Sequence, residues 1–307
     1  MSNPPVAHSR ASLIEKNRHH LLSPDLTMCF VILVWGANFA VVKAAMREIP
    51  PLPFTSIRFG AATALLMLLL WWREGDWKFP PGTVRKFLFL GIIGNTVYQC
   101  LFCLGLYYTT SANASLILTT TPVTVAIASG VIGVEKITRN MVAGLALAFS
   151  GIVIVMLVRG AALSSTTMLG DLMMLGSVFC WTAYVLGIRT VVVGISSLRL
   201  TTLTLMTGAP GLFLLGLPGL LRLDVSGIGA AAIFGILFSS GVALVICYLL
   251  YNRNIRLLGG VRTSIYGCAI PIVAALVAWP ALGERPTPVQ ALGAALVLGG
   301  VLMTRRR

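Results

Sequence analysis

Apolar stretches of some twenty residues follow one another along almost the whole of this 307-residue chain. About twenty residues is the length a helix needs to cross the roughly 30 Å hydrocarbon core of a bilayer. Ten stretches qualify: 25–45, 53–72, 86–108, 111–133, 138–158, 171–189, 198–217, 228–251, 261–282 and 288–304. Each is continuous rather than alternating, which favours helices over the strands of a β-barrel. The predicted fold is therefore an all-α membrane protein with ten transmembrane helices. Composition agrees, since 57% of residues are hydrophobic and only 10% charged, against roughly 25% charged in a soluble domain.

The basic residues report orientation. With the N-terminus inside, 17 Lys and Arg fall on the inner side and 5 on the outer, while Arg58 lies within the second span. That asymmetry predicts an inner-membrane protein with both termini in the cytoplasm. Apart from residues 305–307, the positive charge is scattered between apolar runs rather than gathered in a stripe, so a lipid bilayer and no nucleic acid is the expected surrounding. Residues 1–24 are polar, hold all three histidines (His8, His19, His20) and lack the apolar core of a signal peptide. They read as a cytoplasmic tail.

The chain is also written twice. At a constant offset of 149, Pro122 matches Pro271, Ala126 matches Ala275 and Glu135 matches Glu284. The match runs on through Lys136/Arg285, Thr138/Thr287, Gly144/Gly293 and Gly151/Gly300. At an offset of 146, Asp25, Trp35 and Lys43 meet Asp171, Trp181 and Arg189. At 144, Gly91 and Tyr107 meet Gly235 and Tyr251. The predicted units are 25–158 and 171–304, joined by a linker at 159–170 and followed by the basic end 305–307. Five spans is an odd number, so the two copies must lie in opposite orientations across the membrane. Inverted repeats are a transporter signature, with the substrate site near mid-bilayer between them.

Catalytic readings find no support. No histidine lies in a span, the nine acidic residues fall outside the spans or at their ends, and no phosphate loop is present. A buried nucleophile would lack a base, and no metal or cofactor site can be assembled. The six cysteines all fall within apolar runs, Cys100 and Cys103 included, so they read as packing residues. Asp25 and Asp171 read as acids complementing a helix dipole. With no carboxylate in the membrane interior, facilitated export or exchange is expected rather than proton coupling.

Mid-span residues that remain are neutral, polar and aromatic. Trp35 and Asn38 share a helical face, as do Trp181 and Tyr184 at the matched place; Asn95, Tyr98 and Gln99 share another, opposite Ser239 in the matched span. With Tyr266 on the ninth span, these are the candidate substrate-cavity residues. Interhelical hydrogen bonding that merely joins the bundle is the competing reading for Asn95 and Gln99. Pro122 and Pro271, central in spans 4 and 9, each free a carbonyl four residues back and are candidate gating hinges. Trp71, Trp72 and Trp77 read as interface anchors, and Arg58 as a side chain that snorkels to the outer surface rather than one that contacts a substrate carboxylate. The seven-residue glycine spacings suit close helix packing or dimerisation, so monomer and homodimer both stay open.

At Trp35-Gly36-Ala37-Asn38-Phe39, Lys43, Pro53, Arg58-Phe59 and the two elements running from Pro122 to Glu135 and from Pro271 to Glu284, the sequence resembles the drug/metabolite transporter superfamily, EamA-type branch. The resemblance covers residues 25–304 and implies ten spans in two inverted halves, inner-membrane localisation, outward transport and a central cavity. The tail and the polar-aromatic interior are similar to YddG-type amino acid exporters. The expected function is secondary export of small metabolites, amino acids first among them, with no cofactor. A drug or nucleoside exporter is the alternative within the class, and a non-transporting scaffold or channel the alternative outside it.

Overall fold

Caps written into the sequence set where the helices begin. In a computed structural model describing residues 23–133, 138–158, 165–191, 194–285 and 287–305, helix α1 (Pro24–Ala45) opens with the Ser23 hydroxyl accepting the Leu26 N–H at 3.2 Å. Helix α2 (Pro51–Glu74) starts on proline and stops at Gly75, whose φ of 81° no branched residue adopts cheaply. Helix α3 (Val84–Tyr108) is followed by α4 (Ser111–Val131), which Thr110 caps by accepting the Asn113 N–H. Then come α5 (Arg139–Val158), α6 (Ser165–Val191), and α7 (Ser197–Leu220), capped by Ser196. Helices α8 (Ala230–Leu258) and α9 (Gly260–Leu282) meet at Gly259, with φ of 88°. A reciprocal capping box, Thr287 with Gln290, opens α10 (Pro288–Arg305).

Among the described residues there is no strand. Eight of the helices are long and apolar enough to cross a membrane, while α5 and α10 carry the shorter apolar stretches Val142–Gly151 and Pro288–Gly300. The protein is an all-α membrane protein. The tail residues 1–22, Glu135 and the last two arginines lie outside the described residues.

Contacts between the halves come in matched pairs. Helix α1 packs on α8 and α9, and α6 packs on α3 and α4; α2 packs on α7, and α5 on α10. Exchanging the halves maps this pattern onto itself. Lipid offers helices no hydrophobic drive to associate, so close approach and interhelical hydrogen bonds hold such pairs. A Cβ on Gly151 would stand 2.8 Å from the Gly293 carbonyl oxygen, so the glycine spacing is used where α5 meets α10. Between α2 and α7, Ser56 donates to the Leu212 carbonyl at 2.7 Å.

Two irregularities also come in matched pairs. Helices α3 and α8 each widen into a π-helical stretch, Ile92–Val97 and Phe238–Ile246. Helices α4 and α9 each break immediately before the central proline. Helix α4 ends at Leu118 and restarts at Thr121, while α9 passes through a 3₁₀ turn at Gly267–Ala269 and restarts at Ile270. Both prolines thus occupy the first turn of a new helix, where a missing N–H costs nothing. Threonines bond the loosened carbonyls, with Thr119, Thr120 and Thr121 donating to Ser115, Ile117 and Leu118 at 2.9, 2.7 and 2.6 Å.

Two expectations need correcting. Asp171 is not at a helix end: α6 begins at Ser165, and Asp171 sits 3% exposed on its wall, accepting from the Thr109 hydroxyl. Asp25 does lie in the first turn of α1, but Ser23 is the cap. Nor does Arg58 reach the outer surface. It is 1% exposed, held among α2 and α3 side chains.

Candidate functional site

Five aromatic rings from four helices meet between the halves. Trp35 of α1 meets Trp181 of α6 edge to face, with centroids 5.9 Å apart. Trp181 also lies 4.8 Å from Tyr98 of α3, 5.6 Å from Tyr248 and 5.5 Å from Tyr251, both of α8. The rings are fixed from behind. The Trp35 Nε1–H donates at 3.0 Å to the carbonyl of Ala243, which belongs to the π-helical stretch of α8, and the Trp181 Nε1–H is 3.4 Å from the Tyr251 hydroxyl. Wide turns of this kind recur at functional sites because they re-aim backbone groups.

These rings border a cavity of about 90 Å³. Polar side chains in its wall are Asn38, Arg58, Gln99, Ser115, Thr121 and Ser264, and among the described residues none that lines it is acidic. The helix breaks reach it too, through Leu118 and Thr121 on α4 and Gly267 and Ile270 on α9.

Of the residues singled out from sequence, the structure brings Trp35, Asn38, Tyr98, Gln99 and Trp181 together in this wall. Ser239 stands behind Asn38 and donates to its Oδ1 at 2.7 Å. Tyr184 stacks against the far side of Trp181, its hydroxyl accepting from Asn252 at 3.1 Å. Gly94 leaves Tyr184 its place, since a Cβ there would fall 2.2 Å from the ring. Asn95 is turned the other way and donates to the Thr204 carbonyl of α7 at 3.0 Å. Tyr266 stands away from the wall, donating to Asp25. Pro122 follows the wall residue Thr121, and Pro271 borders a second, apolar crevice among α4, α9 and α10.

Sequence reasoning passed over Tyr248, Tyr251 and Phe102 as wall residues, and read Arg58 as snorkelling outward rather than lining the wall. Tyr251 carried a signal, since it matches Tyr107 in the repeat, and Tyr248 lies three residues earlier on the same helical face.

At one end of the bundle a polar lattice ties four helices together. Lys43 at the end of α1 pairs with Glu284 after α9 at 2.9 Å and donates to the Thr109 carbonyl. Glu284 also accepts the Ser111 N–H at 2.8 Å, and Thr109 donates to Asp171 of α6. Beside it, Gln290 of α10 donates to Asn113 of α4 at 2.8 Å. Asp25, the repeat partner of Asp171, accepts from Tyr266 on α9. Elsewhere Arg199 of α7 binds Glu74 and Asp76 at 2.8 Å each. The Asp76 carboxyl is held below the usual carboxylate range by the Lys78 backbone N–H, then by Arg199.

Comparison with known proteins places this architecture. The model of the EamA-like transporter family matches the chain twice, at residues 22–157 and 168–306. The uncharacterized transporter YyaM of Bacillus subtilis is 32% identical over 275 residues, covering 87% of this chain and 88% of that protein. An uncharacterized transporter of Archaeoglobus fulgidus is 28% identical over 286 residues, covering 91% and 96%. A solved crystal structure with 19% identity superposes with a TM-score of 0.64, covering 92% of this chain and 98% of that one, and speaks for the fold alone. The chain is a multi-pass membrane transporter rather than an enzyme, and it belongs to the EamA-like transporter family.

Proposed function

We propose that this transporter moves small zwitterionic metabolites, amino acids above all, outward across the inner membrane. In this reading ten spans form two inverted five-helix halves that expose the cavity to each side in turn, with both termini in the cytoplasm. The observation that carries the proposal is the aromatic wall itself, drawn from matched helices of both halves around polar groups and without an acidic side chain. Ring faces stack on an apolar or aromatic side chain, and a Trp face attracts an ammonium group. The broken helices α4 and α9 supply the hinges, at Pro122 and Pro271.

Flux tests this directly. Purified protein in liposomes is expected to take up labelled amino acids saturably, and faster when the opposite side holds unlabelled substrate. Amino acid flux that is absent, or that is linear and insensitive to the opposite side, would defeat the reading. A panel preferring cationic dyes or nucleosides would replace amino acids with the drug or nucleoside alternative. The hinges have their own check. The double substitution Pro122→Ala with Pro271→Ala removes the rings that keep each helix from running on through its break and should slow transport more than it lowers the amount of inserted protein. Unchanged initial rates per inserted molecule would count against gating at these breaks.

A further inference from the structure

Arg58 is a buried cation in the wall of this cavity, and among the described residues no carboxylate meets it. Its side chain is 1% exposed, yet it borders the cavity. Nη2 donates to the Gln99 Oε1 and lies 3.3 Å from the Cys103 Sγ. The guanidinium carbon stands 5.6 Å from the Phe54 ring centre and 5.5 Å from that of Phe59. Nε is buried with no hydrogen-bond partner, and among the described residues no carboxylate pairs with the guanidinium. A guanidinium stays protonated under all ordinary conditions and offers donors only. Burying it in a membrane interior is costly unless an anion meets it.

The neighbours are arranged for the same end. Gln99 must turn its carbonyl oxygen to Arg58, because the guanidinium cannot accept. Its amide nitrogen then donates to the Tyr248 hydroxyl at 3.1 Å. Tyr248 accepts there, which leaves its own O–H free to donate into the cavity it borders. One amide thus couples two donors, a guanidinium and a phenol, in one wall of a chamber that holds no acid.

We infer that Arg58 is the anion anchor of the transport site, so that the ligand must bring a carboxylate, which pairs with Arg58 and accepts from Tyr248 while its side chain lies among Trp35 and Trp181. The inference rests on the transport reading above and narrows it. Cationic amines and neutral nucleosides lack the required group.

The test is binding to the purified full chain, followed by isothermal titration calorimetry and thermal shift. The probes share one ring system: tryptophan, tryptophanamide, tryptamine and indole-3-propionate. The two carboxylates are expected to bind at least about tenfold more tightly than the amide and the amine. Arg58→Gln should erase that preference, and Arg58→Lys, which keeps the charge but loses the fork, should retain part of it. If Arg58→Gln does not fold, the wild-type comparison of tryptophan with its amide decides the matter alone. Indole-3-propionate binding without tryptophan would sustain the anchor and defeat the amino acid reading. Tryptamine or the amide binding as well as tryptophan would overturn the anchor while leaving amino acid transport standing. Wild-type protein that binds no carboxylate in the panel, or Arg58→Gln that keeps the full preference, overturns it as well.

Discussion

Trp181→Ala is expected to lower amino acid flux per inserted molecule by at least about tenfold, which corresponds to ~1.4 kcal/mol of lost stabilisation. That figure is modest for this side chain. Trp181 stands 6% exposed at the centre of the ring cluster, touching Trp35, Tyr98, Tyr184, Tyr248 and Tyr251. Each aromatic pair contributes about 0.5–1.5 kcal/mol beyond the area it covers, and truncating a buried Trp to Ala costs about 3–5 kcal/mol in soluble cores. Part of the loss should therefore appear as a lower melting temperature of the detergent-solubilised protein. Trp181→Phe, which keeps a ring in place, separates the two effects. It should recover most of the thermal stability and only part of the flux. Flux for Trp181→Ala equal to that of the wild type would mean the aromatic wall is packing alone.

The second large effect is expected at the polar lattice around Lys43. By the positive-inside expectation this end of the bundle faces outward; there Lys43, Thr109, Ser111, Asp171 and Glu284 join α1, α3, α4, α6 and the turn after α9. Lys43 and Glu284 are only partly exposed, at 22% and 15% of their side chains, so each depends on the other for neutralisation. Stranding such a charge costs about 1–3 kcal/mol, and a bias of that size shifts a two-state equilibrium about 5- to 150-fold. Glu284→Gln and Lys43→Met should each loosen the outer closure. A Ser115→Cys reporter in the cavity wall should then react faster with a membrane-impermeant maleimide added from outside, while net export falls. The double substitution, which leaves neither charge stranded, should lie closer to wild type than either single change. Reactivity unchanged in both single variants would remove this ion pair from any role in closing the outer end.

The fold was legible because membrane physics leaves few choices. Continuous apolar runs can only be helices in lipid, and the mostly short connections between them set the described helix bounds to within a few residues, apart from α6 and the far end of α8. The paired Trp35 and Trp181 were visible for a related reason. A repeat names the same place twice, and aromatic side chains at mid-span have no interfacial role to explain them. Arg58 and Asp171 were misread because proximity to a predicted span end says nothing of which neighbours surround a side chain. Arg58 finds Gln99 on another helix, and Asp171 finds Thr109 in the connection between α3 and α4. Asn95 shares its helical face with Tyr98 and Gln99 on an ideal α-helix, but the π-helical stretch Ile92–Val97 turns it toward the Thr204 carbonyl. That widened register follows from tertiary packing and leaves no mark in hydropathy, although the Gly91/Gly235 match lies beside both stretches.

The account depends most on the two halves lying in opposite senses across the bilayer. The loops carrying Lys78, between α2 and α3, and Ser226, between α7 and α8, occupy matched places in the repeat and are exposed. Single cysteines there, Lys78→Cys and Ser226→Cys in a background without the native cysteines, can be labelled with an impermeant maleimide in intact cells and in inverted vesicles. The inverted arrangement requires position 78 to label from the cytoplasmic side alone and position 226 from the outer side alone. Labelling of both from one side would contradict it.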